Sequence, residues 1–121
     1  MKTGADKKIV LRTRFRVMRG REIAFGPGKA DLLRWVGETG SIREAAARMD
    51  MSYMRAWSLI RTMNECFKTP VIKAARGGIK HGGAELTPTG RRVLKIYLQM
   101  EADALAAMQP GWRALQRLLR G

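Results

Sequence analysis

Two hydrophobic periods divide this chain. From Ile9 the apolar side chains take every second position: Ile9, Leu11, Thr13, Phe15 and Val17 point one way, and Arg12, Arg14 and Arg16 the other. That alternation predicts a half-buried strand. Arg19-Gly20 supplies a turn, and Glu22 to Phe25 returns as a short second strand. A two-stranded ribbon is marginal alone and needs a surface to pack on. Beyond it the period lengthens to that of a helix. Ala30, Leu33 and Val36 share one face, with Leu32 and Trp35 beside them; Ile42, Ala45, Ala46 and Met49 share another. Ala56, Ile60, Met63 and Phe67 recur at i, i+4, i+7 and i+11, flanked by Tyr53 and Trp57 on one side and Leu59 on the other. Val71 to Ala74 and Ala84 to Leu86 revert to strand material, and a last helical stripe runs through Val93, Leu94, Tyr97, Leu98, Ala104, Leu105 and Met108.

The boundaries between these segments carry their own chemistry. Gly26-Pro27-Gly28 is a turn signal, and Thr39-Gly40 ends the helix that follows it. Ser41 with Glu44 has the spacing of a capping box, and Ser52 is a good N-cap after the break at Asp50-Met51. Lys68-Thr69-Pro70 stops the third helix; Thr87-Pro88 opens the fourth with an N-cap and a first-turn proline. Pro110-Gly111 is expected to break that helix, leaving Trp112 to Leu119 as a short amphipathic helix of its own. Between the last two strands, Arg76 to Gly83 is too rich in glycine for a helix and predicts a hairpin with a long basic tip.

Three helices, the second and third joined by a tight turn, followed at once by a hairpin, make a winged helix-turn-helix. The expected class is therefore mostly α with small β elements, carrying an N-terminal β-ribbon and a long C-terminal dimerisation helix. It is expected as one domain over 1–121, with the ribbon at 9–25, the winged-helix core at 29–87 and the helical dimerisation region at 88–121. Dimerisation follows from a C-terminal apolar stripe longer than one such domain can cover.

The outer face of the third helix holds Met54, Arg55, Ser58, Arg61, Thr62 and Glu65. The first residues of a recognition helix meet base edges in the major groove, and arginine can pair bidentately with guanine O6 and N7. An ordinary helical hairpin with a solvated basic face would look similar up to Phe67; the hairpin behind it favours DNA. The formal net charge of +14 on 121 residues points the same way, to a polyanion. No long apolar span or lipidation motif favours a membrane. With one cysteine, Cys66, and no hydrophobic secretory signal, the expected compartment is the cytoplasm.

Catalysis is not expected. His81 is the only histidine and falls in the hairpin tip, and with Cys66 it makes neither a nucleophile–base–orienter set nor a zinc site. The glycine-rich tip lacks the Gly-Lys-Ser/Thr ending of a P-loop. No cofactor or metal is expected.

Several motifs together resemble one family. Gly40-Ser41-Ile42 with Ala45-Ala46, Ser52-Tyr53 with Ala56-Trp57, Met63-Asn64, the Gly77-Gly78 and Gly82-Gly83 pairs, and Leu86-Thr87 with Gly90 resemble the N-terminal DNA-binding domain of ModE-type molybdate-responsive transcriptional regulators. The resemblance runs from about Ala24 to Tyr97; LysR-type regulators are more distantly similar. It implies a dimer that binds a palindromic operator through Ser52, Tyr53, Met54, Arg55, Ser58 and Arg61 on the recognition helix. Ser41 and Arg43 on the supporting helix, and Lys73, Arg76, Lys80 and His81 on the wing, are the further expected DNA contacts. The family senses molybdate through a separate C-terminal domain, and this chain ends at Gly121; the expectation is DNA binding with no molybdate binding in this chain. A nonspecific, architectural DNA-binding protein is the alternative, distinguished by whether the recognition helix reads bases or only charge.

Overall fold

The computed structural model describes residues 8–75 and 83–121. Among them are four helices and two small antiparallel sheets: β1 (Val17–Arg19), β2 (Glu22–Phe25), α1 (Pro27–Thr39), α2 (Ile42–Arg48), α3 (Tyr53–Cys66), β3 (Ile72–Ala74), β4 (Ala84–Leu86) and α4 (Pro88–Gln116). β1 pairs with β2, and β3 with β4. The described residues form two compact units, one within 14–97 and one of residues 8–13 with 98–121.

The 14–97 unit has its core where the helical period placed it. Leu32, Leu33 and Val36 of α1, Ala45 and Ala46 of α2, and Ala56, Ile60 and Met63 of α3 are buried. The alanines matter as much as the large side chains, because they let α2 lie close to its neighbours. Gly40, at φ 70°, ends α1 in the left-handed conformation and donates its N–H to Val36 O at 2.8 Å. The turn between α2 and α3 uses Asp50 at φ 55°, a conformation that few residues other than glycine, asparagine and aspartate accept cheaply. Ser41 and Ser52 cap their helices as expected, their hydroxyls accepting from Glu44 N and Arg55 N at 3.0 Å each. The reciprocal half of the box at Ser41 is replaced: its own N–H meets Thr39 Oγ1 at 3.3 Å.

The β3–β4 pair is fastened to α3 by a side chain. Asn64 Oδ1 accepts from Val71 N at 2.8 Å and from Ile72 N at 3.4 Å, while Nδ2 donates to Ile72 O at 3.3 Å. The start of α4 locks onto the same strand entry. Thr87 Oγ1 accepts from Gly90 N at 2.9 Å and donates to Pro70 O at 2.6 Å. Gly90 is required there, since a Cβ would overlap the Val71 carbonyl oxygen. Phe15, Phe25 and Tyr97 close this unit as an aromatic cluster, with ring centroids 4.8 Å apart for Phe15–Tyr97 and 5.0 Å for Phe25–Tyr97. The Tyr97 hydroxyl donates to Phe15 O at 2.8 Å.

Two expectations are corrected. The first strand does not begin at Ile9: ladder pairing starts only at Val17, opposite Phe25. The alternation is nevertheless visible, with Leu11, Thr13 and Phe15 half-buried and Arg12, Arg14 and Arg16 exposed. β2, at four residues, has no backbone left to pair with the earlier segment. The fourth helix is not broken at Pro110 either, but continues to Gln116 with the proline inside it. The proline removes one N–H that would have met Ala106 O, and Ala106 is exposed, so water can take its place. The separate helix expected after Trp112 is part of α4.

Candidate nucleic-acid interface

Burying Ala56, Ile60 and Met63 fixes the rotation of α3 and turns Met54, Ser58 and Arg61 outward. Met54 is 73% exposed. Ser58 sits in the middle of this face, with its carbonyl accepting from Thr62 Oγ1 at 3.1 Å. Neither Arg61 nor Arg55 forms an ion pair among the described residues. The face is therefore polar and cationic, with side chains free to meet a ligand.

The other expected positions divide by geometry. Tyr53 is half-buried, and the Arg43 guanidinium lies over its ring at 4.7 Å, a cation–π contact joining α2 to α3. Tyr53, Trp57 and Ile60 then line a hollow of about 270 Å³ with Ile42, Ile72 and Lys73. This hollow lies between the first turns of α3 and the root of the β3–β4 pair. Ser41 and Ser52 each accept one capping hydrogen bond through the hydroxyl oxygen, and Ser41 also forms a bridge with Gly83. Lys73 makes an exposed ion pair with Glu85 at 3.8 Å, which contributes little to stability and leaves the ammonium accessible. Arg76, Lys80 and His81 lie outside the described residues.

Arg55 departs from its expected neighbours. It projects from the flank of α3 opposite Trp57 and, with Arg14, Arg16 and Lys29, lines a pocket of about 280 Å³ at the start of α1. Lys29 is 8% exposed and its ammonium donates to the Ile23 carbonyl oxygen. Burial holds its pKa below the ordinary lysine value against the opposing pull of Cys66 and Glu22, and Arg55 lowers it further.

Sequence reasoning missed Asn64 as a structural clamp, and missed Arg14, Arg16 and Lys29 as neighbours of Arg55. Alternation put Arg14 and Arg16 on the polar face of a strand and gave them no tertiary neighbour; the packing of Phe15 on Tyr97 accompanies the approach of that segment to α3. Lys29 carried a usable signal, being a lone cation in an otherwise apolar first turn.

Among the described residues no cluster of three histidine, cysteine or carboxylate side chains could hold a metal ion. No described helix is long and apolar enough to cross a membrane.

No family model matches the chain. Proteins similar to it include the molybdenum-pterin-binding protein MopB of Rhodobacter capsulatus, 42% identical over 77 residues that make up 64% of this chain and 28% of MopB. The molybdenum transport protein ModE of Azotobacter vinelandii is 36% identical over 77 residues, 64% of this chain and 28% of that protein. The DNA-binding transcriptional dual regulator ModE of Escherichia coli is 35% identical over 83 residues, 69% of this chain and 30% of the relative. Two of these three relatives carry the ModE name to which the sequence motifs pointed. The chain spans less than a third of the length of each.

Proposed function

We propose that this chain is a sequence-specific, DNA-binding transcriptional regulator with a winged helix-turn-helix. In this reading α3 enters the major groove, and the hairpin rooted in β3 and β4 lies along the adjoining backbone. The observation that carries it is the outward face of Met54, Ser58 and Arg61 on a helix whose far end is tied to that hairpin by Asn64. The net charge of +14 and the similarity to a relative named as a DNA-binding transcriptional regulator support it. Base edges fall to Met54, Ser58 and Arg61. Phosphates fall to Arg43 and Lys73, and to Arg76, Lys80 and His81.

The functional unit is a homodimer. From Leu98 the positions Leu98, Glu101, Leu105, Met108, Trp112 and Leu115 alternate in steps of three and four, the seam of a coiled coil. Leu98 is 45% exposed, Leu105 and Met108 38% each, and Leu115 51%. A second copy covering this seam would also give the protein the two-fold symmetry that a palindromic operator matches.

Selection of binding sites from random duplex DNA, followed by competition between the selected and random sequences, tests the reading. The selected duplex is expected to bind about 10³-fold or more tightly than random DNA at physiological salt. Strong binding with no preference would replace the regulator by a nonspecific architectural protein.

A further inference from the structure

The pocket at the start of α1 gathers like charges, and only Lys29 feels an opposing one, from Glu22 and Cys66 outside the lining. Arg14, Arg16 and Arg55 are exposed at its rim, Lys29 is buried in its wall, and among the described residues no acidic side chain lines it. None of the three arginines forms an ion pair among the described residues. Among the described residues Lys29 has one hydrogen-bond acceptor, Ile23 O, for three donors. Glu22 is not part of the lining, and its carboxylate accepts from Cys66 Sγ at 3.6 Å. The helix behind the pocket adds to the same field. α1 has no side-chain cap and no acidic residue in its first turn, so its positive end faces the cavity uncompensated. Gly28 leaves that turn bare: a Cβ there would meet nothing within 4 Å.

Cations so placed repel one another, and an oxyanion is the chemical species that relieves the repulsion. Three arginines lining a volume of about 280 Å³ can offer planar guanidinium forks, which suit a tetrahedral oxyanion better than a carboxylate held by one partner. Because Arg55 belongs both to this pocket and to the first turn of α3, an anion bound here sits beside the outward face of that helix.

We propose that the pocket is a clamp for one phosphate of the DNA backbone, a proposal that rests on the DNA-binding reading above. Arg14, Arg16 and Arg55 grip a single phosphate from the side of α3 opposite the β3–β4 hairpin, so that the duplex is held on both flanks of the recognition helix. Arg55 then sets the register of α3 in the groove and does not read a base. That reverses the role its place in the sequence suggested.

The test uses the whole chain and random-sequence duplex DNA, titrated across several salt concentrations. Wild-type binding tests the underlying reading; the variants test the clamp. Gly28→Asp puts a carboxylate into open space at the mouth of the pocket, where it also suits a helix N-terminus. The fold should keep its melting temperature while DNA affinity falls tenfold or more. Arg16→Gln combined with Arg55→Gln should lower the slope of log K against log salt by about one, the value for one phosphate lost. The same charge removed elsewhere, by Arg117→Gln combined with Arg120→Gln, should leave the slope near its wild-type value.

Wild-type affinity in Gly28→Asp, or a slope reduced by about two in the double variant, would overturn the clamp while leaving DNA binding intact. Failure of the wild type to bind DNA would overturn both. Inorganic phosphate, titrated calorimetrically into the DNA-free protein, distinguishes a free oxyanion from the DNA backbone. No saturable binding is expected. Saturable, stoichiometric binding of inorganic phosphate that Gly28→Asp abolishes without weakening DNA binding would assign the pocket to a free anion instead.

Discussion

Residues 14–97 and residues 98–121 use helices of similar amphipathic character to opposite ends. In the first, α1 and α3 bury their apolar stripes, and Leu33, Val36, Ile60 and Met63 are at most 1% exposed. In the second, the last part of α4 leaves its stripe in water, with Leu98, Leu105 and Leu115 more than a third exposed. Apolar area exposed in this way forgoes about 25 cal/mol for each Å² that a partner could cover. The first region thus holds its structure by its own packing, and the second keeps apolar side chains that the proposed dimer would cover. Hydrophobic content alone does not distinguish them; the spacing does, since the exposed residues keep the three-and-four step of a coiled-coil seam.

The contrast can be broken at its strongest point first. Leu33→Ala, in the core of the 14–97 unit, should cost about 2–5 kcal/mol of stability in urea denaturation. A loss below about 1 kcal/mol would mean that the site collapses freely and that this region is not the rigid one. Asn64→Ala comes next. It leaves the N–H of Val71, a fully buried residue, without its acceptor and should cost about 1–3 kcal/mol. The same variant should loosen the hairpin from α3, visible as faster amide exchange at Val71 and Ile72. Unchanged exchange there would show that strand pairing, not Asn64, holds the hairpin.

Leu105→Ala should act on association in place of folding. The dimer dissociation constant, measured by sedimentation equilibrium, is expected to rise tenfold or more, about 1.4 kcal/mol, with the circular dichroism spectrum unchanged. A wild-type chain that sediments as a monomer at micromolar concentration would remove the reason for the exposed seam.

Much of this was legible in the sequence because local signals and packing agree. Ser41 and Ser52 cap the helices whose starts they mark, Thr87 does the same for α4, and Gly40 takes the left-handed conformation its position suggests. The core faces of α1, α2 and α3 follow their period directly. The failures have physical reasons as well. Alternation from Ile9 to Phe15 reports which side chains are sheltered, but a strand needs a ladder, and β2 is too short to provide one. Pro110 is tolerated because the carbonyl it strands belongs to an exposed residue. The pocket joining Arg14, Arg16, Lys29 and Arg55 was invisible because its members come from three segments, brought together by tertiary contacts that no local pattern encodes.

The central claim is that the outward face of α3 reads bases. Arg61→Ala tests it most directly, by anisotropy titration on a selected operator and on random duplex DNA across several salt concentrations. Arg61 is exposed on that face and forms no ion pair among the described residues. The account predicts a loss of about 1–3 kcal/mol on the operator, a much smaller loss on random DNA, and relaxed preference at one position in each half-site. Equal losses on the two duplexes, with preference unchanged at every position, would contradict it.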